Sequence, residues 1–167
     1  MPRTIEIPGL GKVTKDEQFG WYVSEPRPIA ALNGQVCRVI LDDYDSDPNK
    51  EDFHVAIANF LSIDASVLKA AETDMVSYHD AHAADLKTPS EVWNRLRLGT
   101  EPTVKRRPYG DKGIYISVEC GCDWEDEHGL EIVFKNGLKV NKLGPYDGHC
   151  TNSDAWDKDS LEDVVYY

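Results

Sequence analysis

A chain of 167 residues with 18 basic and 30 acidic side chains carries a formal net charge of −12, which repels phosphate backbones and favours basic partners over nucleic acid. No segment approaches the roughly 20 apolar residues of a membrane-spanning helix, and the opening MPRTIEIPGLGKV lacks the continuous apolar run of an export signal. Four scattered cysteines (Cys37, Cys120, Cys122, Cys150) do not make a disulfide framework, so a reducing cytoplasm is the expected location and one soluble globular domain the expected organisation.

The first 43 residues alternate short β-prone runs with turns. Pro8-Gly9 and Gly11 break the first run, FGWYVS (19–24) follows, and Asn33-Gly34 is a strong hairpin signal. In QVCRVIL (35–41), period two sets Val36, Arg38 and Ile40 on one face and Cys37, Val39 and Leu41 on the other. The segment reads as an antiparallel meander.

A helical block comes next. Asp47-Pro48 precedes Phe53, Ile57, Phe60 and Leu61, which share one helical face. Asp64 is placed to cap a second helix carrying Val67, Leu68, Ala71 and Met75, with Leu86 further on. Thr88-Pro89-Ser90-Glu91 is a capping box opening a short helix through Trp93 and Leu96 that Gly99 ends.

The last third returns to strands. Ile114, Ile116, Val118, Cys120 and Cys122 fall on one face, and Leu130–Phe134 is the hairpin partner. Asn136-Gly137 then turns into Leu138–Leu143, and residues 144–167 form an acidic segment with little regular pattern. Strands, then helices, then strands predict an α+β fold over residues 1–167: an antiparallel sheet from the N-terminal meander and C-terminal hairpin, packed with two to three central helices.

Several constellations suggest chemistry. Cys120, Cys122, His128 and Cys150 are zinc-type ligands, and a metal-binding protein centred on them is the alternative reading; yet period two aims Cys120 and Cys122 at an apolar face, where cysteine packs as a small hydrophobe. Asp43, Asp45 and Asp47 begin a calcium-loop pattern that Pro48 and His54 break, which favours a solvated turn. His79 and His82 share a helix face, with His54 as a conceivable third ligand. Glu127-His128 and His149-Cys150 are acid/base or nucleophile pairs without an orienting third group, so no catalytic residues and no cofactor are expected.

Charge distribution points to binding. Asp154, Asp157 and Asp159 alternate with Trp156 near the C-terminus, and Trp124, Glu125, Asp126 and Glu127 crowd a turn between two strands. Carboxylates steer a basic partner and exposed rings anchor it, so these eight residues are the expected partner-binding set. A basic strip of Arg95, Arg97, Lys105, Arg106 and Arg107 is placed either to contact the acidic surface of a second copy or to solubilise a loop; the oligomeric state is not read from the sequence.

The runs IPGLGKVTKDEQFGWYVSEP, HVAIANFL, CDWEDEHGLEIVFKNG and GPYDGHCTNSDAW, spread from Ile7 to Trp156, resemble a family of uncharacterised bacterial proteins, a domain of unknown function. Its W-x-x-E-H-G core corresponds here to Trp124, Glu127, His128 and Gly129. That family is similar in size and style to immunity proteins of polymorphic-toxin systems. The resemblance implies a non-catalytic protein that neutralises a basic toxin domain by occlusion; a structural or regulatory domain with an unrelated partner is a further alternative.

Overall fold

The computed structural model describes residues 1–167. Eleven strands succeed one another in chain order: β1 (Thr4–Ile7), β2 (Gly11–Lys15), β3 (Tyr22–Ser24), β4 (Arg27–Ile29), β5 (Gln35–Cys37), β6 (Ile40–Leu41), β7 (Leu96–Arg97), β8 (Thr103–Arg106), β9 (Ile114–Cys122), β10 (Leu130–Lys135) and β11 (Lys139–Pro145). Between β6 and β7 lie helices α1 (Lys50–Ser62), α2 (Ser66–Lys69) and α3 (Glu72–Asp80); α4 (Asn152–Trp156) follows β11. No helix is long and apolar enough to cross a membrane.

The main sheet runs β1-β2-β3-β6-β8-β9-β10-β11, with β7 continuing the β8 side along the far end of β9. It is α+β, as expected, but not wholly antiparallel: β6 and β8 pair in parallel. The helical block forms the crossover between them, which is why these two strands need not reverse direction. The expected single strand 35–41 is divided. Cys37 ends a separate hairpin with β4, Arg38 turns its amide to the Thr100 carbonyl, and Ile40 begins pairing in the main sheet.

One sheet face carries the core. Val13, Tyr22, Leu41, Val104, Ile116 and Phe134 line up across successive strands, and Phe53, Ala56, Ile57 and Phe60 of α1 pack down on them; the Phe60 and Phe134 ring centroids are 5.1 Å apart. Phe53, Ile57 and Phe60 are the apolar stripe that the sequence shows, with Ala56 buried beside them and Leu61 only partly so, and burial of each of those three large side chains stabilises by about 1.5–3 kcal/mol. Helix α1 starts at Lys50, later than the proline, because Asp47 accepts the Asn49 amide (2.9 Å) and holds a turn ahead of it. Asp64 accepts the Ser66 amide (2.9 Å), but the helix it opens stops at Lys69 and resumes as α3. The capping-box segment Pro89–Arg95 is a 3-10 turn in place of the expected α-helix, and Leu96 is already strand.

The second face is divided between a cover and a gap. The segment 144–167, expected to be irregular, begins with the end of β11, contains α4 and buries Cys150 against Tyr115 and Val133 at the β9-β10-β11 end. A register shift beside Val133 leaves Asn141 unpaired, and its side-chain amide donates to the Cys150 carbonyl (2.8 Å). The chain then rounds the β11 edge, where the Leu143 amide donates to the Val165 carbonyl (2.9 Å), and places Tyr166 on Tyr78 of α3. The β3-β6-β8 end of this face has no such cover.

Candidate functional site

The turn between β9 and β10 divides its residues by role. Trp124 is half-buried, its ring edge-on to Tyr78 (5.4 Å) and His79 (5.1 Å), so it pins the turn to α3. Glu125 accepts the backbone amides of Glu127 (3.0 Å) and His128 (3.2 Å), which hold its carboxyl below the usual carboxylate range. Trp124 and Glu125 therefore build the turn, whereas Asp126 and Glu127 are exposed and free to meet a partner.

Near the C-terminus the expected set also separates. Thr151 caps α4 by accepting the Asp154 amide (3.1 Å), and Asp157 ends it in the left-handed region (φ 50°). Arg107 comes up beneath, only 2 % exposed. Its guanidinium donates to both Asp154 oxygens (2.8 and 2.8 Å) and both Glu162 oxygens (2.7 and 2.8 Å). Hydrogen bonds from Arg107 and Ser153 bring the Glu162 carboxyl down to about 2. Asp154 is thus bound internally and does not belong with the partner-facing carboxylates. Trp156 (59 % exposed), Asp157 and Asp159 remain at the surface, and the Trp156 ring lies 5.3 Å from Tyr167. Beside them is an open groove of about 630 Å³, with Tyr109, His149, Asp157 and Asp159 among its walls.

The proposed metal ligands do not converge. Cys120 and Cys122 are in the main core, Cys120 taking the Gly99 amide, Cys150 is on the opposite face of the sheet, and His128 is exposed at the turn. Burial pushes the Cys120 thiol up to about 12 and the Cys150 thiol to about 11, so both are protonated near neutrality. Nowhere do three His, Cys, Asp or Glu side chains gather as a metal-holding group. His54 bonds Tyr44 (2.7 Å), His79 sits by Asp80 (3.1 Å), and His82 turns to the Tyr78 carbonyl (3.1 Å). Asp45 binds Lys15 (2.8 Å) while Asp47 binds Arg106 (2.7 Å), so the aspartate run divides between two ion pairs.

The four arginines of the basic strip each pair with carboxylates of the same chain, Arg97 at the surface, while Lys105 bonds the Gly148 carbonyl. Arg95 pairs with Asp85, Arg97 with Asp123, Arg106 with Asp47 and Asp52, and Arg107 with Asp154 and Glu162. Within the chain these arginines fasten segments distant in sequence.

Sequence reasoning missed a second concavity, an open trough of about 630 Å³ on the uncovered half of the second sheet face. Ile40, Thr103 and Ser117 share one row across β6, β8 and β9 and form its floor. Trp21 stands at the β3 side, Tyr146 at the other, and Asp42, Glu101 and Glu119 contribute carboxylates. Its residues come from five stretches between 21 and 146, so no local pattern announces it.

A family described as a domain of unknown function, DUF6985, matches residues 9–150, more than four-fifths of the chain. The chain belongs to DUF6985. No curated protein and no solved structure matches it. All residues lining the trough fall within the DUF6985 span, whereas Asp154, Trp156, Asp157 and Asp159 lie beyond it.

Proposed function

We propose that this DUF6985 protein is a non-catalytic, cytoplasmic binding domain of immunity type, which neutralises a basic toxin domain by covering it. The observation that carries the reading is the exposed Trp156–Tyr167 ring pair, with Lys158 over Tyr167, next to an open groove walled by Asp157 and Asp159, in a segment that also exposes Asp163. Ring surface left in water gains free energy when a partner covers it, and carboxylates without internal partners raise the encounter rate with a basic surface. Asp126 and Glu127 extend the acidic surface at the β9–β10 turn.

Co-expression with the protein encoded beside it is the direct test. A 1:1 complex that suppresses that protein's toxicity, and that weakens with salt and in the Asp157→Asn/Asp159→Asn/Asp163→Asn variant, supports the reading. Toxicity unrelieved by the wild-type chain overturns the immunity role, and binding unchanged in the triple variant overturns the surface.

A further inference from the structure

The trough on the open half of the sheet face has an unbalanced set of charges. Lys105 donates to the Gly148 carbonyl (3.1 Å), and Arg97 pairs with Asp123 (2.9 Å) while lying over Gly121, where an added Cβ would stand 3.0 Å from its guanidinium. Asp42, Glu101 and Glu119 are exposed and make no ion pair or hydrogen bond with another side chain. Arg97 is therefore paired and Lys105 keeps its charge near Asp42, while Glu101 and Glu119 have no cation of their own.

The strand register sharpens the imbalance. Glu119 on β9 lies directly opposite Glu131 on β10. Like charges in that relation destabilise a sheet unless cations offset both. Glu131 has its cation, Lys142, at 2.6 Å; Glu119 has none. The walls supply what a cationic guest needs besides charge. Trp21 stacks on exposed Phe19 (centroids 4.5 Å, planes 16° apart), and Tyr146 is 41 % exposed across the trough. A guanidinium is planar, stacks on such rings and forks onto carboxylates, so it matches the lining better than a compact ammonium does.

We infer that this trough is a docking site for an arginine-bearing segment of a protein partner, held by Glu119, Asp42 and Glu101 between Trp21 and Tyr146. The site is separate from the C-terminal acidic face, and it rests on the proposed function only for the partner's basic character.

The probe is a capped tri-arginine peptide, titrated into the full-length, isotope-labelled chain by NMR, with spermine as comparator. Saturable shifts are expected at the Trp21 indole and at the Gly99, Gly121 and Tyr146 amides. Glu119→Gln/Asp42→Asn should weaken binding roughly tenfold, the combined effect of two exposed ion pairs. Trp21→Ala should weaken it as well, and Asp157→Asn/Asp159→Asn should leave the trough shifts in place. Retained amide dispersion checks the fold of each variant. Shifts confined to the C-terminal face, no saturable shift at all, or spermine binding as tightly as the peptide would each overturn the inference. The first of these spares the proposed function, whereas failure to relieve toxicity with trough shifts intact spares the trough.

Discussion

Glu131 has no exposed surface, and its Oε1 lies 2.6 Å from the Nζ of Lys142, itself 1 % exposed. Asp147 takes the same ammonium at 2.9 Å, so two carboxylates share one cation. Burial pushes Glu131 up to about 7, despite the attraction of Lys142. For Asp147 burial pushes the carboxyl up, but its neighbour Glu131, the His149 amide and Lys142 together hold it below the usual range. A carboxyl raised in the folded chain contributes stability fully present below its unfolded value of 4.5, and lost as pH climbs through about 7. Stability should therefore fall by about 1–3 kcal/mol between about pH 5 and about pH 8 on account of Glu131 alone. Urea unfolding of wild type and Glu131→Gln at those two pH values checks this: the variant should show the smaller fall. The sequence places Glu131 on a strand as one more carboxylate. Its burial under residues 146–149 depends on how the chain returns over the sheet, which no local period encodes.

At the scale of elements, the β10–β11 hairpin and α1 fix each other's position. Gly137 has φ +71°, and a Cβ there would collide with the Ala56 carbonyl of α1 and come within 3.1 Å of the Phe60 nitrogen. Asn59 donates to the Asn136 carbonyl (3.0 Å) across the same contact. Gly137→Ala combines left-handed strain with a backbone collision, so it should cost about 2 kcal/mol or more, measured as a lower urea midpoint. Asn136-Gly137 is legible as a turn, and period two correctly turns Cys120 and Cys122 into the core. The approach of the helix to that glycine is not legible, because it is set by the thickness of the packed layer. The parallel β6–β8 pair escapes for a related reason: each strand alone reads as an ordinary short run, and only the intervening helices decide its direction.

At the scale of the whole molecule, one arginine joins two regions that the family boundary separates. Arg107 lies within residues 9–150, as does Asp111 at 3.4 Å, whereas the two acids that bind it at 2.7–2.8 Å, Asp154 and Glu162, lie outside. The same outer segment closes the β11 edge through the Leu143–Val165 bond, and the Asn152 amide ties its own return to the Val164 carbonyl (2.8 Å). Acidic and aromatic residues near the C-terminus were visible as composition; that Asp154 faces inward and Trp156 outward was not, because both depend on Arg107 rising from a loop between β8 and β9. A fragment comprising residues 9–150 would leave Arg107 with Asp111 alone and uncover its guanidinium, losing the charge-assisted hydrogen bonds to Asp154 and Glu162 at a cost of about 1.5–3 kcal/mol. It would also open a strand edge to other chains. Such a fragment should melt well below the full chain and elute as aggregates, as circular dichroism and size-exclusion chromatography would show. Inheritance and folding thus partition this polypeptide differently: the span recognisable as DUF6985 stops short of the residues that close its last strand and fork onto Arg107.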